Sequence, residues 1–271
     1  MNTTLRTPKH GFFMGAKKDP YDPRDFIWRA APHLLAAGPA LPALSVCDGL
    51  AMPEKFDQAN ESSCTGNAGA RWRAWLGLKF QQYALLPIPF SRQALYWWER
   101  NLPWNADADQ DNGANSRDIF YVLKNIGICN ESFDPYEYST LFNDPGPQAL
   151  ADAANRKIGA YHRITTVSDL KACLISGFAF TMGFQVYDSF ENIGSDGIWS
   201  PNVDVEKVVG GHEVFCHGYD DTVNGGSFLF DNSWGTSWGK EGSFYMPYSF
   251  LNNYDASQWD AWTGHFGIPW K

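Results

Sequence analysis

Asp57-Gln58-Ala59-Asn60-Glu61-Ser62-Ser63-Cys64-Thr65-Gly66-Asn67-Ala68 is the stretch on which the reading of this chain turns. A cysteine stands behind two serines where a polar loop gives way to a helix. From Ala68 the apolar residues Trp72, Trp75 and Leu76 recur at helical spacing as far as Tyr83. Proline at 87 forbids continuation beyond Leu85-Leu86. The hydroxyl of Ser62 or Ser63 can accept from an amide of the first turn and cap the helix. Cys64 then lies at a helix N-terminus, where unpaired amides and the macrodipole favour an anion. A thiol so placed ionises more readily than a free one, and the thiolate is the nucleophilic form. Cys64 also reads as a small buried hydrophobe, and this stretch alone leaves both readings open.

The second decisive stretch lies far downstream. Gly210-Gly211-His212-Glu213-Val214 opens a strand-like run closed by Asp220-Asp221. Ser227-Phe228-Leu229-Phe230-Asp231 then leads into Asn232-Ser233-Trp234-Gly235-Thr236-Ser237-Trp238-Gly239. Gln, Cys, His and Asn in that chain order, with Asn-Ser-Trp-Gly at the last, resemble the bacterial and viral-type branch of the papain-like cysteine peptidases. Gln58 stands six residues before Cys64 and Trp238 four after Trp234, as in that family. The resemblance runs from about Leu41 to about Tyr248.

The resemblance implies an α+β, papain-like two-lobe fold. A helical lobe carries Cys64, an antiparallel β-barrel-like lobe carries His212, and the active site is the cleft between them. Cys64 would be the nucleophile of a cysteine endopeptidase and His212 its proton-transfer partner. Asn232 would hold the imidazole, and Gln58 would donate to the oxyanion. Asn112, Gly113, Gly211 and Trp234 would line the substrate. The implied enzyme is a hydrolase needing no cofactor, acting as a monomer on a protein or peptide. Two further readings keep the cleft: a thiol amidase acting on cell-wall peptides, and a catalytically silent binding protein.

This sequence departs from the family at three points. Glu61 stands where a disulfide-bonded cysteine is common, Thr65 where tryptophan usually follows the nucleophile, and Glu213 where a small residue usually follows the histidine. If it faced the cleft, Glu213 could raise the imidazolium pKa or select a basic substrate group; strand alternation points it away.

Composition narrows the rest. A chain of 271 residues, 44% hydrophobic and 16% aromatic, can bury a substantial core. Its net charge of −9 argues against nucleic acid or anionic membrane as partner. Five widely spaced cysteines without zinc spacing predict free thiols in a reducing compartment. With no apolar leader after Met1, the expected location is the cytoplasm.

Along the chain, residues 1–44 read as an N-terminal extension and 45–271 as the catalytic domain, with Leu41-Pro42 resembling the start of bacterial mature domains. The extension reads as structural padding in preference to an inhibitory strap. Its aromatic groups, above all Tyr21 to Trp28, are expected along the body of the domain. Ser91 is expected to cap a second helix through Arg100, Gly127 to end a third over 119–126, and Ser168 to cap a fourth. Asp107-Ala108-Asp109-Gln110-Asp111 through Asp118 reads as a substrate-lining loop, with calcium as the rival occupant. Strands are expected over 178–186, 214–219, 227–231 and 243–246. Nothing is assigned to 252–271.

Overall fold

The computed structural model describes residues 12–31, 43–80, 88–105, 109–253 and 258–267. Its helical lobe is led by α1 (Cys64–Lys79), α2 (Arg92–Arg100), α3 (Ser116–Asn125) and α4 (Gly146–Ala153). Helix α1 is buried on every side from Cys64 to Gly77. It is therefore the axis of the lobe and not a surface helix with one apolar stripe. Helix α2 starts where the sequence predicts, with the Ser91 hydroxyl accepting from the Ala94 amide at 2.9 Å. Helix α1 stops at Lys79; the predicted end at 85–87 lies outside the described residues.

The second lobe is an antiparallel sheet of β4 (Ala160–Ile164), β5 (Phe180–Tyr187), β6 (Val208–Asp220), β7 (Ser227–Asp231), β8 (Ser243–Pro247) and β9 (Trp259–His265). Their order is β4-β9-β5-β6-β7-β8, and the short β2 (Leu44–Ser45) adds to β6. The expected barrel-like closure is absent, because β4 and β8 end the path without pairing to each other. Helix α5 (Val167–Ile175) is capped by Thr166, whose hydroxyl accepts from the Asp169 amide, and not by Ser168.

Tryptophans weld the lobes together. Trp72 of α1 donates its indole N–H to the Ala179 carbonyl at 3.0 Å and packs edge-on against Phe120. Such a side chain contributes both buried area and one satisfied polar bond. Outside this core the expected packing of Tyr21 to Trp28 is only partly met. Trp28 is buried and donates its amide to the Arg163 carbonyl, but Tyr21 is 84% and Phe26 72% exposed. The Asp22–Asp25 turn, closed by the Asp25 amide on the Asp22 carbonyl, leaves those two rings in water. All five cysteines are free.

Beneath the sheet, β6 carries His217 into a buried ionic cluster. Its Nδ1 meets the Ser45 hydroxyl at 3.0 Å and its Nε2 lies 3.3 Å from Asp231. Asp231 also pairs with Arg71 at 2.7 Å and Lys55 at 3.2 Å. Burial alone would lower the imidazole pKa, but the Asp231 carboxylate overrides it and raises the value to about 9. The charged ring therefore stabilises the fold fully below about 6.5, and the contribution disappears as pH climbs through 9. Thermal melts of wild type should lose of order 3 kcal/mol across that window through this group. A His217→Gln variant should start less stable and lack that loss; an unchanged alkaline slope would refute the assignment.

Candidate active site

The cleft between the lobes is built by two loops that zip across it. The Gln58 amide donates to the Ser233 carbonyl at 2.8 Å, and the Ser233 hydroxyl donates to Gln58 Oε1 at 2.6 Å. This fixes the Gln58 side chain with its NH2 turned inward, donating to the Glu61 carbonyl at 2.7 Å. The turn before α1 is held separately, since both Asp111 carboxylate oxygens accept from the Ser62 amide. Ser63 occupies the N-cap position, yet its side chain caps nothing. Its hydroxyl instead meets Tyr136 Oη at 2.5 Å and accepts from Asn67 Nδ2.

His212 comes from β6 and Asn232 from the end of β7. His212 Nε2 lies 2.6 Å from Asn232 Oδ1. Because Oδ1 also accepts from the Ser233 amide, Nε2 carries the imidazole proton and Nδ1 holds the lone pair. Nδ1 is buried without a hydrogen-bond partner. The Trp234 ring lies 4.8 Å from the imidazole and covers the His212–Asn232 bond. At the head of α1, the backbone N–H groups of Gly15 and of Glu213, the residue after His212, favour the Cys64 thiolate.

Gly15 belongs to the N-terminal extension, which the sequence reads as padding in preference to an inhibitory strap. Residues 12–19 run through the cleft. Phe12 stacks on Trp234 at 4.2 Å, and the Phe13 carbonyl accepts from Gln58 Nε2 at 3.2 Å. β1 (Ala16–Lys17) pairs in parallel with β3 (Ala114–Asn115), and the Ala114 amide donates to the Gly15 carbonyl. The groove is cut for a main chain. A side chain on Gly113 would begin 1.7 Å from the Gly15 oxygen, and one on Gly211 2.2 Å from the Ala16 oxygen. Of the predicted lining residues, Gly113, Gly211 and Trp234 therefore touch a peptide segment. Asn112 is exposed, and its amide donates to Gln110 Oε1.

Cys64 and His212 are both fully buried. Burial pushes the Cys64 thiol up to about 12, against the two amides that favour the thiolate. Burial likewise pulls His212 down to about 4, although its bond to Asn232 favours the charged ring. Burial thus opposes the ionisation expected of a thiol at a helix N-terminus and disfavours the charged form of both groups.

The acidic loop after α2 carries no vacant carboxylate pair among its described residues. Asp111 is taken by Ser62 and Tyr96, and Asp118 by Trp104 and Asn105; Asp107 lies outside them. Tyr136, in the Glu131-to-Tyr136 turn whose sequence resembles the family's acidic-to-Pro-Tyr turn, donates its hydroxyl to the Gln58 carbonyl at 2.9 Å while Arg92 covers its ring.

Comparison with known proteins identifies the family and the fold. The profile of the papain family cysteine proteases matches residues 103–258, more than half of the chain. An uncharacterized peptidase C1-like protein of Acanthamoeba polyphaga mimivirus is 32% identical over 209 residues, 73% of this chain and 65% of its own length. Xylellain, a cysteine protease from Xylella fastidiosa, superposes with a TM-score of 0.83 at 29% identity, covering 98% of this chain and all of that one. A procathepsin B of Trypanosoma congolense shares the fold at TM-score 0.72 and 16% identity, over 94% of this chain and 87% of its own. The chain belongs to the papain family of cysteine proteases. His212 and Asn232 fall inside the matched stretch, Cys64 and Gln58 before it.

Proposed function

We propose that the chain is a cysteine endopeptidase acting on protein or peptide substrates, held closed by its own N-terminal strap. The observation that carries this reading is the pairing of His212 Nε2 with Asn232. It leaves Nδ1 bare, and the amide of the next residue, Glu213, acts on the Cys64 thiol. With the strap gone, water returns to both groups and the proton of Cys64 passes to Nδ1. The thiolate adds to the peptide carbonyl carbon, and the oxygen gains negative charge beside Gln58 Nε2 and the Cys64 N–H. Collapse of the tetrahedral adduct expels the amine, which takes the Nδ1 proton. Water, deprotonated by the same nitrogen, then cleaves the thioester and frees the thiol.

The Phe13 carbonyl accepts from Gln58 Nε2, the donor proposed here for the oxyanion. Removing that donor should cost about 3 kcal/mol of barrier, or roughly a hundredfold in kcat. Casein and peptide hydrolysis by Gln58→Ala measures it. A variant as fast as wild type would show that the glutamine plays no part in the reaction.

A further inference from the structure

Resting on the peptidase reading, we propose that a hydrogen-bonded brace buried behind the cleft holds Cys64 and His212 in position relative to each other, with Thr65, Glu99, Ser116 and Glu213 as its positioning residues. The brace grips the residue that follows each of the two. Thr65, after Cys64, donates its hydroxyl to Glu99 Oε2 of α2 at 2.5 Å. Glu213, after His212, accepts at Oε2 from the Ser116 hydroxyl at the start of α3, also at 2.5 Å. All four residues are fully buried. Thr65 and Glu213 are two of the three positions at which this sequence departs from the family, so the family pattern does not account for these bonds.

The two bonds are joined within the helical lobe. Asn105 Nδ2 donates both to the Glu99 carbonyl and to Asp118 Oδ2, each at 2.7 Å. Asp118 lies two residues past Ser116 in α3, and Trp104 Nε1 donates to its other oxygen at 3.1 Å. A continuous path therefore runs from the head of α1 through α2 and α3 and crosses to β6 at Glu213, without entering the cleft.

Each acid is placed by its hydroxyl. Oε1 of Glu99 and Oε1 of Glu213 are buried without a hydrogen-bond partner, so the bond at Oε2 decides where the carboxyl sits. Burial pushes both carboxyls well above the ordinary carboxylate range, which favours the neutral acid, and glutamine is its neutral analogue. Room for the Ser116–Glu213 bond exists because residue 183 is glycine: a side chain there would begin 2.6 Å from the hydroxyl and 2.7 Å from Oε2. A buried acid that loses its hydroxyl is left unsatisfied and must shift toward another partner. That shift moves the backbone beside Cys64 or His212, and a misplacement of about 1 Å in such a pair slows reaction up to about a hundredfold.

The test uses the full Gly15→Ala chain. It reads the rate at which iodoacetamide, a reagent without side chains to seat, alkylates Cys64, beside kcat and KM for peptide hydrolysis. Thr65→Val keeps the shape and loses the hydroxyl, whereas Thr65→Ser keeps the hydroxyl. Glu213→Leu loses the acceptor, whereas Glu213→Gln keeps it. Thr65→Val and Glu213→Leu should each slow alkylation and kcat about tenfold or more, and Thr65→Val should leave KM within about twofold. Thr65→Ser and Glu213→Gln should recover most of both rates. Because one path carries both bonds, the Thr65→Val/Glu213→Leu chain should be no more than about threefold slower than the slower single variant. Rates unchanged by Thr65→Val and Glu213→Leu, conservative variants as slow as these two, or losses that multiply in full would overturn the brace. If Glu213→Leu does not fold, the Thr65 pair decides the matter with Gly183→Ala, whose methyl group crowds the Ser116–Glu213 bond. The expected alkylation order without peptide hydrolysis would sink the peptidase and spare the brace. Hydrolysis with alkylation indifferent to every variant would do the reverse.

Discussion

Gly15→Ala should raise turnover by the full-length chain about tenfold or more. The methyl group would begin 1.9 Å from the Ser62 carbonyl oxygen, a backbone atom. Ser62 cannot yield, because its amide is gripped by both oxygens of Asp111. The strap must move instead, drawing the Gly15 amide from the sulfur and the Phe13 carbonyl from Gln58. Each 1.4 kcal/mol of lost docking raises the open fraction tenfold while the closed form dominates. A substrate with a compatible backbone would meet no such clash, since the change lies on the strap alone. Hydrolysis of a fluorogenic peptide measures it. Unchanged turnover with unchanged melting would return the strap to the padding that the sequence suggested.

Cys64→Ala, introduced into the Gly15→Ala chain, should cut turnover by about a million-fold, the scale seen when an acyl-transfer triad loses its nucleophile. Stability should shift by only a few degrees, roughly the effect of about 1 kcal/mol, because one buried sulfur is exchanged for a small void. Residual hydrolysis above that of a mock preparation would mean that another group performs the chemistry.

What the sequence disclosed and what it hid divide along a physical line. Cys64, His212, Asn232 and Gln58 were legible because the reaction proposed for this chain depends on their side chains. No other residue type supplies the same thiol, imidazole and amide. Residues 12–19 were illegible because they bind mainly through the backbone: the Phe13 carbonyl, the Gly15 carbonyl and the Ala16–Lys17 pairing. Nothing in Phe12-Phe13-Met14-Gly15 announces a destination. Counting aromatic rings misled for the same reason, as the rings left in water, Tyr21 and Phe26, are those assigned to the body. Strand β9 escaped because all seven of its residues are buried, which erases the alternation that marks a half-exposed strand. The thiol's resting protonation depends on water excluded by a distant segment, which local spacing does not encode.

The most direct test of a Cys64 nucleophile under a removable strap is the rate at which a peptidyl epoxide alkylates each cysteine, read by mass spectrometry of the intact and digested chain. One adduct, on Cys64, should form slowly in wild type and about tenfold or more faster in Gly15→Ala, and should vanish in His212→Ala. An adduct confined to the partly exposed Cys47, or a Cys64 rate indifferent to both substitutions, would contradict the account.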